Sequence, residues 1–270
     1  RHEEGRRGGQ RTAGPSEPAE AADLYMAAPR ARAAGSLPGM PASELSASNQ
    51  EYLKTIWTLG EWGDGPVTPS RLAERIGVRL SSASDAVRRL AASGLVEHVP
   101  YGAVALTAEG RKAALILVRR HRLLETFLAK VLGYSWDEVH AEADALEHVV
   151  SELMVERIDK LLGRPERDPH GDPIPTADGV VAAPRHIALE ALPIGRRGRL
   201  ERVLDADPDL LRHLDSAGLR LDDEVELLPS APFAERVTLR FGGDGRTVRV
   251  RRSQCRFLRI SVPTRPGPDV

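Results

Sequence analysis

Two short predicted helices, a tight break and a pair of short strands follow one another between residues 68 and 107. Thr68 and Pro69 are typical of a helix N-cap and the first helical position, and Gly77 marks the break after this helix. The next helix is predicted over residues 80–93, and the residues after it alternate in polarity like the strands of a hairpin. Helix, short turn, helix and hairpin is the order of a winged helix-turn-helix. The N-terminal part of the chain is thus limited to a small helical unit with a β-wing.

The second helix of this pair carries side chains suited to DNA. Its inner positions are apolar, whereas serine and arginine at its outer positions can contact phosphates and base edges. The predicted DNA-contacting residues, including two serines from the preceding helices, are Ser48, Ser70, Arg79, Ser81, Ser82, Ser84, Asp85, Arg88 and Arg89. Residues 66–112 contain seven Lys or Arg and four Asp or Glu, so positive charge is concentrated here. A winged helix used only for protein contacts or packing is the alternative, because Asp85 would repel phosphates unless it accepts a hydrogen bond from cytosine.

The rest of the chain is predicted to contain further helices followed by a β-rich unit. A first helix is expected around Tyr52, ending at Gly60, and a long helix from Thr107 to about Leu132. Residues 163–185 are rich in proline and are predicted to be a linker. Beyond it, residues 189–204 are expected to be strand-like, and strands are predicted at Glu224–Leu228, Arg236–Phe241 and Thr247–Val250. The predicted domains are a disordered extension at 1–45, the winged helix at 46–112, a helical domain at 113–176, the end of the linker at 177–185, a small β-rich domain at 186–263 and a tail at 264–270.

The composition excludes several classes of protein. A single cysteine, Cys255, rules out an intramolecular disulfide framework and a cysteine-based zinc knuckle. There is no run of about 18 apolar residues, so no membrane-spanning segment is predicted. The arginine-rich N-terminus has no apolar segment behind it, so no secretory signal is expected. We therefore expect a cytoplasmic protein without a membrane partner, whose net charge of −1 does not by itself indicate a partner.

The segment HAEADALEHVVSE, residues 140–152, is predicted to be one continuous helix with two faces. Ala, Leu and Glu favour helix, neither Gly nor Pro interrupts the segment, and Ser135 to Glu138 before it fit a capping box. At 100° per residue, one face is apolar and contains Val139, Ala143, Leu146, Val150 and Leu153. The face beside it is polar and contains His140, Asp144, Glu147 and His148.

Two imidazoles and two carboxylates on one helix face indicate a metal site. Residues spaced by four, seven or eight positions are neighbours on a helix surface, and His, Asp and Glu all ligate divalent metals. His121 and Glu125 form a second pair with this spacing on the preceding long helix. An ordinary solvated face is the alternative, and we assign that role to Glu142, Glu152 and Glu156.

Several runs of the sequence together resemble the iron- and manganese-dependent repressors, the family of the diphtheria toxin repressor and the manganese transport regulator. These runs, which follow in order over about residues 48–176, are EYLKTIW, GLVEHVPYGAVALTAEGRK, RHRLLE, VHAEADALEHVVSE and HGDPIP. The resemblance implies a mainly α-helical protein with a small β part: an N-terminal winged helix-turn-helix, a helical dimerisation and metal-binding domain, and a C-terminal SH3-like β-barrel, which matches more weakly. It also implies a homodimer that binds palindromic double-stranded operator DNA. The apolar face of residues 139–153, continued by Ile158, Leu161 and Leu162, is expected to supply the dimer contact as well as part of the core.

The resemblance further implies two separate metal sites. The primary site would take Glu51, Asp144, Glu147 and His148. The ancillary site would take His121, Glu125 and His140, completed by the DADPD segment through Asp209 or, next, Asp207.

The expected metal is Mn²⁺, with Fe²⁺ as the alternative. Glu51 and Asp144 stand where iron-responsive members of the family have Met and Cys, and hard oxygen ligands suit Mn²⁺. One position departs from the family pattern. Manganese regulators that lack the SH3-like domain have a carboxylate three residues after the position of Glu51, where this sequence has Lys54. That lysine argues against a closely spaced metal pair and for the separated arrangement.

The resulting hypothesis is a metal-activated transcriptional repressor, with no catalytic residues. A winged-helix regulator without metal control is one alternative. The other is a metal hydrolase with Glu147 as general base, although the chain has no HExxH motif and its HxxxDxxEH pattern matches no hydrolase motif.

Overall fold

The computed structural model describes residues 45–63, 65–98, 102–182, 186–231 and 233–262. Of the predicted extension at 1–45 only Leu45 is described, and it belongs to the apolar core of the winged helix. The predicted tail at 264–270 lies outside the described residues. Within the described ranges, no helix combines the length and the apolar character needed to cross a membrane.

These described residues form seven α-helices and eight β-strands. The helices are α1 Ala47–Trp62, α2 Pro69–Ile76, α3 Leu80–Ala92, α4 Ala108–Phe127, α5 Val139–Leu146, α6 Glu152–Leu161 and α7 Pro208–Ala217. The strands are β1 Val96–His98, β2 Val104–Leu106, β3 Ile187–Ala188, β4 Arg197–Val203, β5 Glu224–Leu227, β6 Arg236–Phe241, β7 Arg246–Arg251 and β8 Leu258–Ser261.

Helices α1, α2 and α3 pack with the β1–β2 hairpin around one apolar core, as predicted. Thr68 caps α2 by accepting a hydrogen bond from the backbone N–H of Arg71, and Gly77 ends it in the left-handed conformation. The predicted end of α1 at Gly60 is wrong. The helix continues to Trp62, because Gly63 is the residue that adopts the left-handed cap, with φ 72°.

Helix α4 is the central element of the helical domain. Thr107 caps it by accepting a hydrogen bond from the backbone N–H of Gly110, and the helical segment extends to Leu132, as predicted. Its last turn, Leu128–Leu132, is a π-helix that ends at Gly133. Because α1, α5 and α6 all pack against α4, side chains are buried around most of its circumference.

The prediction of one continuous helix over residues 140–152 is wrong. Helix α5 ends at Leu146, and a turn separates it from α6. Ser151 begins the new helix by accepting a hydrogen bond from the backbone N–H of Met154. Helix propensity favours continuation, but the Ser151 cap and the buried contacts of Glu147 stabilise the break.

This break divides the predicted apolar face between core and surface. Val139 and Ala143 are fully buried against α4, and Leu146 and Val150 are partly buried. Leu153, on α6, is 59% exposed. The segment therefore supplies core residues from α5 and an exposed apolar surface from α6.

The C-terminal domain is a six-stranded antiparallel sheet with one helix. The strand order is β3-β8-β4-β5-β6-β7, and α7 follows β4. The predicted strands at Glu224–Leu228, Arg236–Phe241 and Thr247–Val250 are confirmed to within one residue at each end. Residues 189–204 were expected to be strand-like, but they begin with a short 3-10 turn, Leu189–Ala191, and only then form β4.

Arginines of the sheet fix it against the end of α1. The guanidinium carbons of Arg202 on β4 and Arg259 on β8 lie 4.4 and 4.7 Å from the ring centre of Trp62. Arg259 also donates a hydrogen bond of 2.7 Å to the carbonyl of Trp62. Arg202 pairs with Glu61 and Asp172, so α1 and the sheet share buried charge as well as apolar contact.

Residues 168–175, inside the segment predicted to be a linker, are mostly buried between α4 and β4. Arg122 of α4 donates to the carbonyl of Pro173, and Val203 of β4 donates to the carbonyl of His170. Gly171 has φ 89°, and a Cβ there would lie 1.9 Å from the carbonyl oxygen of Glu201. Only glycine fits this close approach of two backbones.

Replacing Gly171 with Ala is expected to destabilise the protein by about 3 kcal/mol, because the added carbon overlaps the β4 backbone and left-handed φ disfavours alanine. Urea unfolding measures this loss. Gly243→Ala is the matched control, since a Cβ at Gly243 meets no heavy atom within 4 Å. Equal stability of the two variants would contradict the packing described for this loop.

Candidate metal centre and DNA-contacting helix

Four side chains meet on one side of α4, and we call them the histidine cluster: His121, Glu125, His140 and Asp205. His121 and Glu125 lie one turn apart on α4, His140 is on α5, and Asp205 follows β4. Glu125 Oε1 lies 3.0 Å from His121 Nε2 and 3.2 Å from His140 Nδ1. Asp205 Oδ2 lies 2.9 Å from His140 Nδ1. One ligand atom from each residue therefore lies within 4.8 Å of the others.

Burial makes the charges in this cluster depend on one another. Burial raises the pKa of Glu125, but His121 and His140 outweigh it and hold that pKa far below its usual value. Burial lowers the pKa of His140, whereas Asp205 and Glu125 raise it to about 11. Protonated imidazoles thus balance the buried carboxylates, and this balance is what a metal ion would replace.

Asp205 also connects the histidine cluster to the winged helix. Its Oδ1 atom accepts a hydrogen bond of 2.8 Å from Arg75 of α2, while Oδ2 contacts His140. Burial raises the pKa of Asp205, yet His140 and Arg75 hold it well below its usual value. One ionised carboxylate therefore joins α2 to α5.

A second group, which we call the lysine cluster, consists of Glu51, Lys54, Asp144 and Glu147. Lys54 Nζ lies 3.0 Å from Glu51 Oε2, 2.7 Å from Asp144 Oδ1 and 2.8 Å from Glu147 Oε1. Burial lowers the pKa of Lys54, but Glu147, Glu51 and Asp144 outweigh it and raise the pKa above its usual value. The ammonium group of Lys54 thus lies among the carboxylates of Glu51, Asp144 and Glu147. These are three of the four residues expected to form the primary site.

His148, the fourth residue expected in the primary site, lies at the edge of the lysine cluster. Its Nδ1 atom is 3.0 Å from Gln50 Oε1, and its Nε2 atom is 3.8 Å from Glu147 Oε1. His121 is closer, because its Nδ1 atom lies 2.7 Å from Glu147 Oε2 and 3.4 Å from Asp144 Oδ1. His121 therefore contacts both clusters, one through each ring nitrogen.

The residue that the DADPD segment contributes to the histidine cluster is Asp205, which corrects the expectation of Asp209 or Asp207. Asp207 is the N-cap of α7 and accepts a hydrogen bond from the backbone N–H of Leu210. Asp209 is exposed and pairs with Arg212. Which of the three carboxylates faces α5 depends on how β4 leads into α7, and the local sequence carries no signal for this.

Two further buried residues beside the histidine cluster were not expected from the sequence. Asp168 and His170 offer ligand atoms within 4.8 Å of one from Glu125. Burial raises the pKa of Asp168 to about 8, with Asp172 and Glu125 adding to the effect. Asp168 Oδ1 accepts hydrogen bonds from the backbone N–H groups of His170 and Asp172, which shapes the loop. The available signal was the polar HGDPIP run itself, within a segment interpreted as a linker.

The donor atoms fit a divalent cation. The histidine cluster offers two imidazole nitrogens and two carboxylate oxygens, a set that suits first-row divalent metals. In the lysine cluster, an ammonium group already stands among three carboxylates, so that position accommodates positive charge. Burial of Glu147, which is 4% exposed, makes a compensating cation necessary there.

The predicted DNA-contacting side chains lie mostly on the surface of α3 and its neighbours. Ala83, Ala86, Val87 and Leu90 form the fully buried face of α3. Ser84 is half-buried, and the exposed residues are Ser48, Ser70, Arg79, Ser81, Ser82, Asp85, Arg88 and Arg89. Asp85 pairs with Arg88, which reduces the repulsion that its carboxylate would exert on a phosphate.

Three family models match successive parts of the chain. The iron dependent repressor N-terminal DNA binding domain matches residues 44–104, the metal binding and dimerisation domain of the same repressors matches residues 107–176, and the FeoA domain matches residues 187–261. The iron-dependent repressor IdeR of Mycobacterium leprae is 35% identical over 190 residues, which cover 66% of this chain and 82% of that protein. This chain belongs to the iron-dependent repressor family.

Other repressors of this family and its manganese-dependent relatives are similar to the chain. The diphtheria toxin repressor of Corynebacterium diphtheriae is 31% identical over 195 residues, 68% of this chain and 86% of that protein. A solved manganese-dependent transcriptional repressor in complex with manganese is 49% identical, with a TM-score of 0.75, and covers 79% of this chain and 99% of its own. The repressor ScaR with bound Zn²⁺ is 30% identical, with a TM-score of 0.68 and the same coverage. The predicted fold class is confirmed.

The metal-free repressor is expected to lose stability as the pH rises from 6.5 to about 9. Burial lowers the pKa of His121, but the neighbouring carboxylates raise it from 6.5 to about 9 in the folded protein. The stabilisation from its pairing is therefore complete below pH 6.5 and is lost as the pH rises through the folded pKa. Urea unfolding in chelator measures this dependence.

Two histidine variants test this assignment. His121→Gln should reduce the pH dependence, whereas His213→Gln, at an exposed position on α7, should leave it unchanged. A wild-type stability that increases over the same pH range would contradict the pairing of His121 with Glu125 and Glu147.

Proposed function

We propose that this chain is a Mn²⁺-activated transcriptional repressor that binds palindromic operator DNA as a cytoplasmic homodimer. The observation that carries the proposal is the histidine cluster, where donors from α4, α5 and the segment after β4 meet. One of these donors, Asp205, holds Arg75 of α2. A cation bound in this cluster would therefore act directly on the DNA-binding unit.

The proposed metal ligands follow from the two clusters. His121, Glu125, His140 and Asp205 would hold one cation. Glu51, Asp144, Glu147 and His148 would hold a second, once the ammonium of Lys54 has moved away. A bound divalent cation supplies two positive charges to carboxylates that are otherwise balanced by Lys54 and by protonated imidazoles.

In the proposed mechanism, metal activates the protein by stabilising one of two arrangements of the chain relative to the other. The lysine cluster places Glu51 and Lys54 of α1 against Asp144 and Glu147 of the helical domain, and α1 leads directly into the winged helix. A cation that draws these carboxylates together favours one orientation of α1 over others. Metal then shifts the population toward the arrangement that binds DNA.

The donor chemistry supports manganese over iron. The proposed second site contains three carboxylates and one imidazole, and the described residues near it provide no thiolate or thioether. Hard oxygen donors suit Mn²⁺, although raw affinity for most sites is higher for later metals. The likeness to a manganese-dependent repressor at 49% identity points the same way.

An exposed apolar surface on α6 and the turn before it supports the dimer. Val149, Leu153, Met154 and Leu161 are 77%, 59%, 46% and 66% exposed, although each is apolar. Ile158, which was expected to join the interface, is buried in the core of its own chain. A matching surface on a second copy would cover these side chains, and a two-fold dimer would suit a palindromic operator.

The first prediction from this function is that DNA binding depends on Mn²⁺. A binding sequence is selected in Mn²⁺ from random duplex DNA, and its affinity is measured by gel shift. We expect at least roughly tenfold weaker binding in chelator, a coupling of about 1.4 kcal/mol. Equal affinity in Mn²⁺ and in chelator would contradict activation by metal.

An arginine variant tests the assignment of α3 in the same assay. Arg89→Ala, on the exposed side of α3, should weaken binding and lower the salt slope by about one. Arg197→Ala, an exposed arginine on β4, should change neither quantity.

The second prediction concerns Lys54, whose ammonium must leave before a cation can take its carboxylates. Lys54→Met should therefore tighten Mn²⁺ binding about tenfold, or by ~1.4 kcal/mol. It should also destabilise the metal-free protein by about 3 kcal/mol, because buried carboxylates lose their partner. Titration calorimetry and urea unfolding measure the two effects. Lys130→Met, at an exposed position, is the control. Weaker Mn²⁺ binding by Lys54→Met would show that Lys54 does not compete with the cation for these carboxylates.

The third prediction is that Leu153→Glu converts the dimer into a monomer. A carboxylate at this exposed apolar position would remain unpaired and buried in the proposed interface. Sedimentation at micromolar concentration with Mn²⁺ distinguishes the two states. Ile194→Glu, at a 62% exposed apolar residue of the C-terminal domain, should stay dimeric. A monomeric wild type would refute the interface.

A further inference from the structure

The outer face of strands β6 and β7 carries arginine at four of its six positions. The two strands are antiparallel, and their side chains alternate between buried and outward positions. Thr238 is half-buried, and the other five outward residues are exposed. We call these six residues the arginine face, and they form three rows across the strands: Arg236 opposite Arg251, Thr238 opposite Arg249, and Arg240 opposite Thr247.

The neighbouring strands of the sheet balance their arginines with carboxylates, whereas most of the arginine face does not. On β4 and β5, Arg197 pairs with Glu224 and Glu226. Arg240, at the border, pairs with Glu226 as well. Among the described residues, no carboxylate pairs with the other three arginines of the arginine face. The imbalance is also local in sequence, because residues 235–256 contain seven Arg against one Glu and one Asp.

The arginine face does not contribute its charge to the stability of the sheet. Arg236 and Arg251 lie directly opposite each other. Like charges in this position of an antiparallel pair are destabilising. The apolar contact between the strands comes from the inner side, where Val237 and Val250 are paired and buried. An anion bound over the arginine face would relieve the repulsion between its arginines.

The side chains of the arginine face suit phosphate groups. A guanidinium group can donate two parallel hydrogen bonds to one phosphate, and threonine hydroxyls also donate to phosphate oxygens. Protein interfaces depend on buried aromatic or aliphatic anchors, and helices that bind membrane surfaces insert apolar side chains. None of the six residues of the arginine face is apolar. A chain of phosphates therefore fits this surface better than a protein or a membrane.

The C-terminal sheet is held next to the DNA-binding unit, which the family model places at residues 44–104. Arg259 of β8 donates to the carbonyl of Trp62, and Asp205 accepts from Arg75 of α2. DNA bound by the winged helix would thus present its flanking phosphates to the sheet at a high effective concentration. Alternate residues of a strand lie about 7 Å apart, and each DNA strand carries a phosphate every 3.4 Å or so of its axis. Arg249 and Arg251 can therefore contact different phosphates of one strand.

We propose that the arginine face binds the phosphate backbone of the DNA that flanks the operator. The C-terminal domain then makes a second, sequence-independent contact with the duplex that the winged helix reads. This proposal rests on the DNA-binding function proposed above. None of the DNA contacts predicted from the sequence lies in the C-terminal domain.

The test compares two duplexes in Mn²⁺ by fluorescence anisotropy over a range of salt concentrations. One is the selected operator alone, and the other has about 15 additional base pairs on each side, or roughly 50 Å. The variant combines Arg236→Gln, Arg249→Gln and Arg251→Gln. On the flanked duplex its salt slope should be lower than that of the wild type by at least about two, because each phosphate contact adds about 0.9. On the short duplex the two proteins should bind alike.

A control variant removes the same number of charges from arginines that already pair with carboxylates. It combines Arg197→Gln, Arg212→Gln and Arg220→Gln, all at exposed positions of the C-terminal domain. Its salt slope should equal that of the wild type on both duplexes. Lysine at the three positions of the arginine face keeps the charge and should retain the slope on the flanked duplex. Loss of the slope in the lysine variant would overturn a role in phosphate binding.

The remaining outcomes separate this proposal from the proposed function. Equal slopes of the wild type and the glutamine variant on the flanked duplex overturn the proposal and leave operator binding intact. An equal loss of slope on both duplexes overturns it too, because the contact would then lie within the operator. A wild type that binds neither duplex in Mn²⁺ overturns the proposed function and this inference with it. If the triple variant does not fold, Arg249→Gln alone, opposite Thr238, should lower the slope on the flanked duplex by at least about 0.9.

Discussion

Four consecutive charged residues of α4 hold the described domains together. Successive residues of a helix point about 100° apart, so the side chains of Arg119, Arg120, His121 and Arg122 reach different neighbours. Their partners are Asp159 and Glu152 of α6, Glu147 after α5, and Glu61 of α1. A buried charge is costly unless it is paired, so each of these elements is fixed where its carboxylate meets α4. Arg122 extends the same constraint to Asp172 and thereby to the loop that carries His170.

The same constraint explains how a cation could control this fold. The carboxylates around His121 must be neutralised in every state of the protein, and only the identity of the neutralising groups changes. In the described arrangement these groups are the ammonium of Lys54 and the imidazoles of His121 and His140. Exchange of one set of positive charges for another costs less than creating an unpaired charge, so the clusters can change their geometry without unfolding.

Much of the fold could be predicted from the sequence because its signals are local. Thr68, Pro69 and Gly77 define α2, and the periodic Ala83, Ala86 and Val87 define the buried face of α3. The break after α5 was missed because Ser151 is compatible with a helix interior, and the burial of Glu147 against Lys54 depends on a residue 93 positions earlier. His121, Glu125 and His140 could be predicted because they lie on successive helices with regular spacing. Asp205 and His170 could not, since they lie in loops whose paths depend on how the sheet packs against α1 and α4.

Asp205 divides its two oxygen atoms between the winged helix and the histidine cluster, holding Arg75 with one and His140 with the other. Coupling free energies are reciprocal, so whatever fixes α2 acts back on the cluster as strongly as the cluster acts on α2. DNA would then itself be an effector of the proposed metal site. A copy bound to its operator would retain its cation at metal concentrations at which a free copy has already lost its cation. Genes repressed by such a protein would therefore be released only at a metal concentration lower than the one at which free copies of the protein lose their cation.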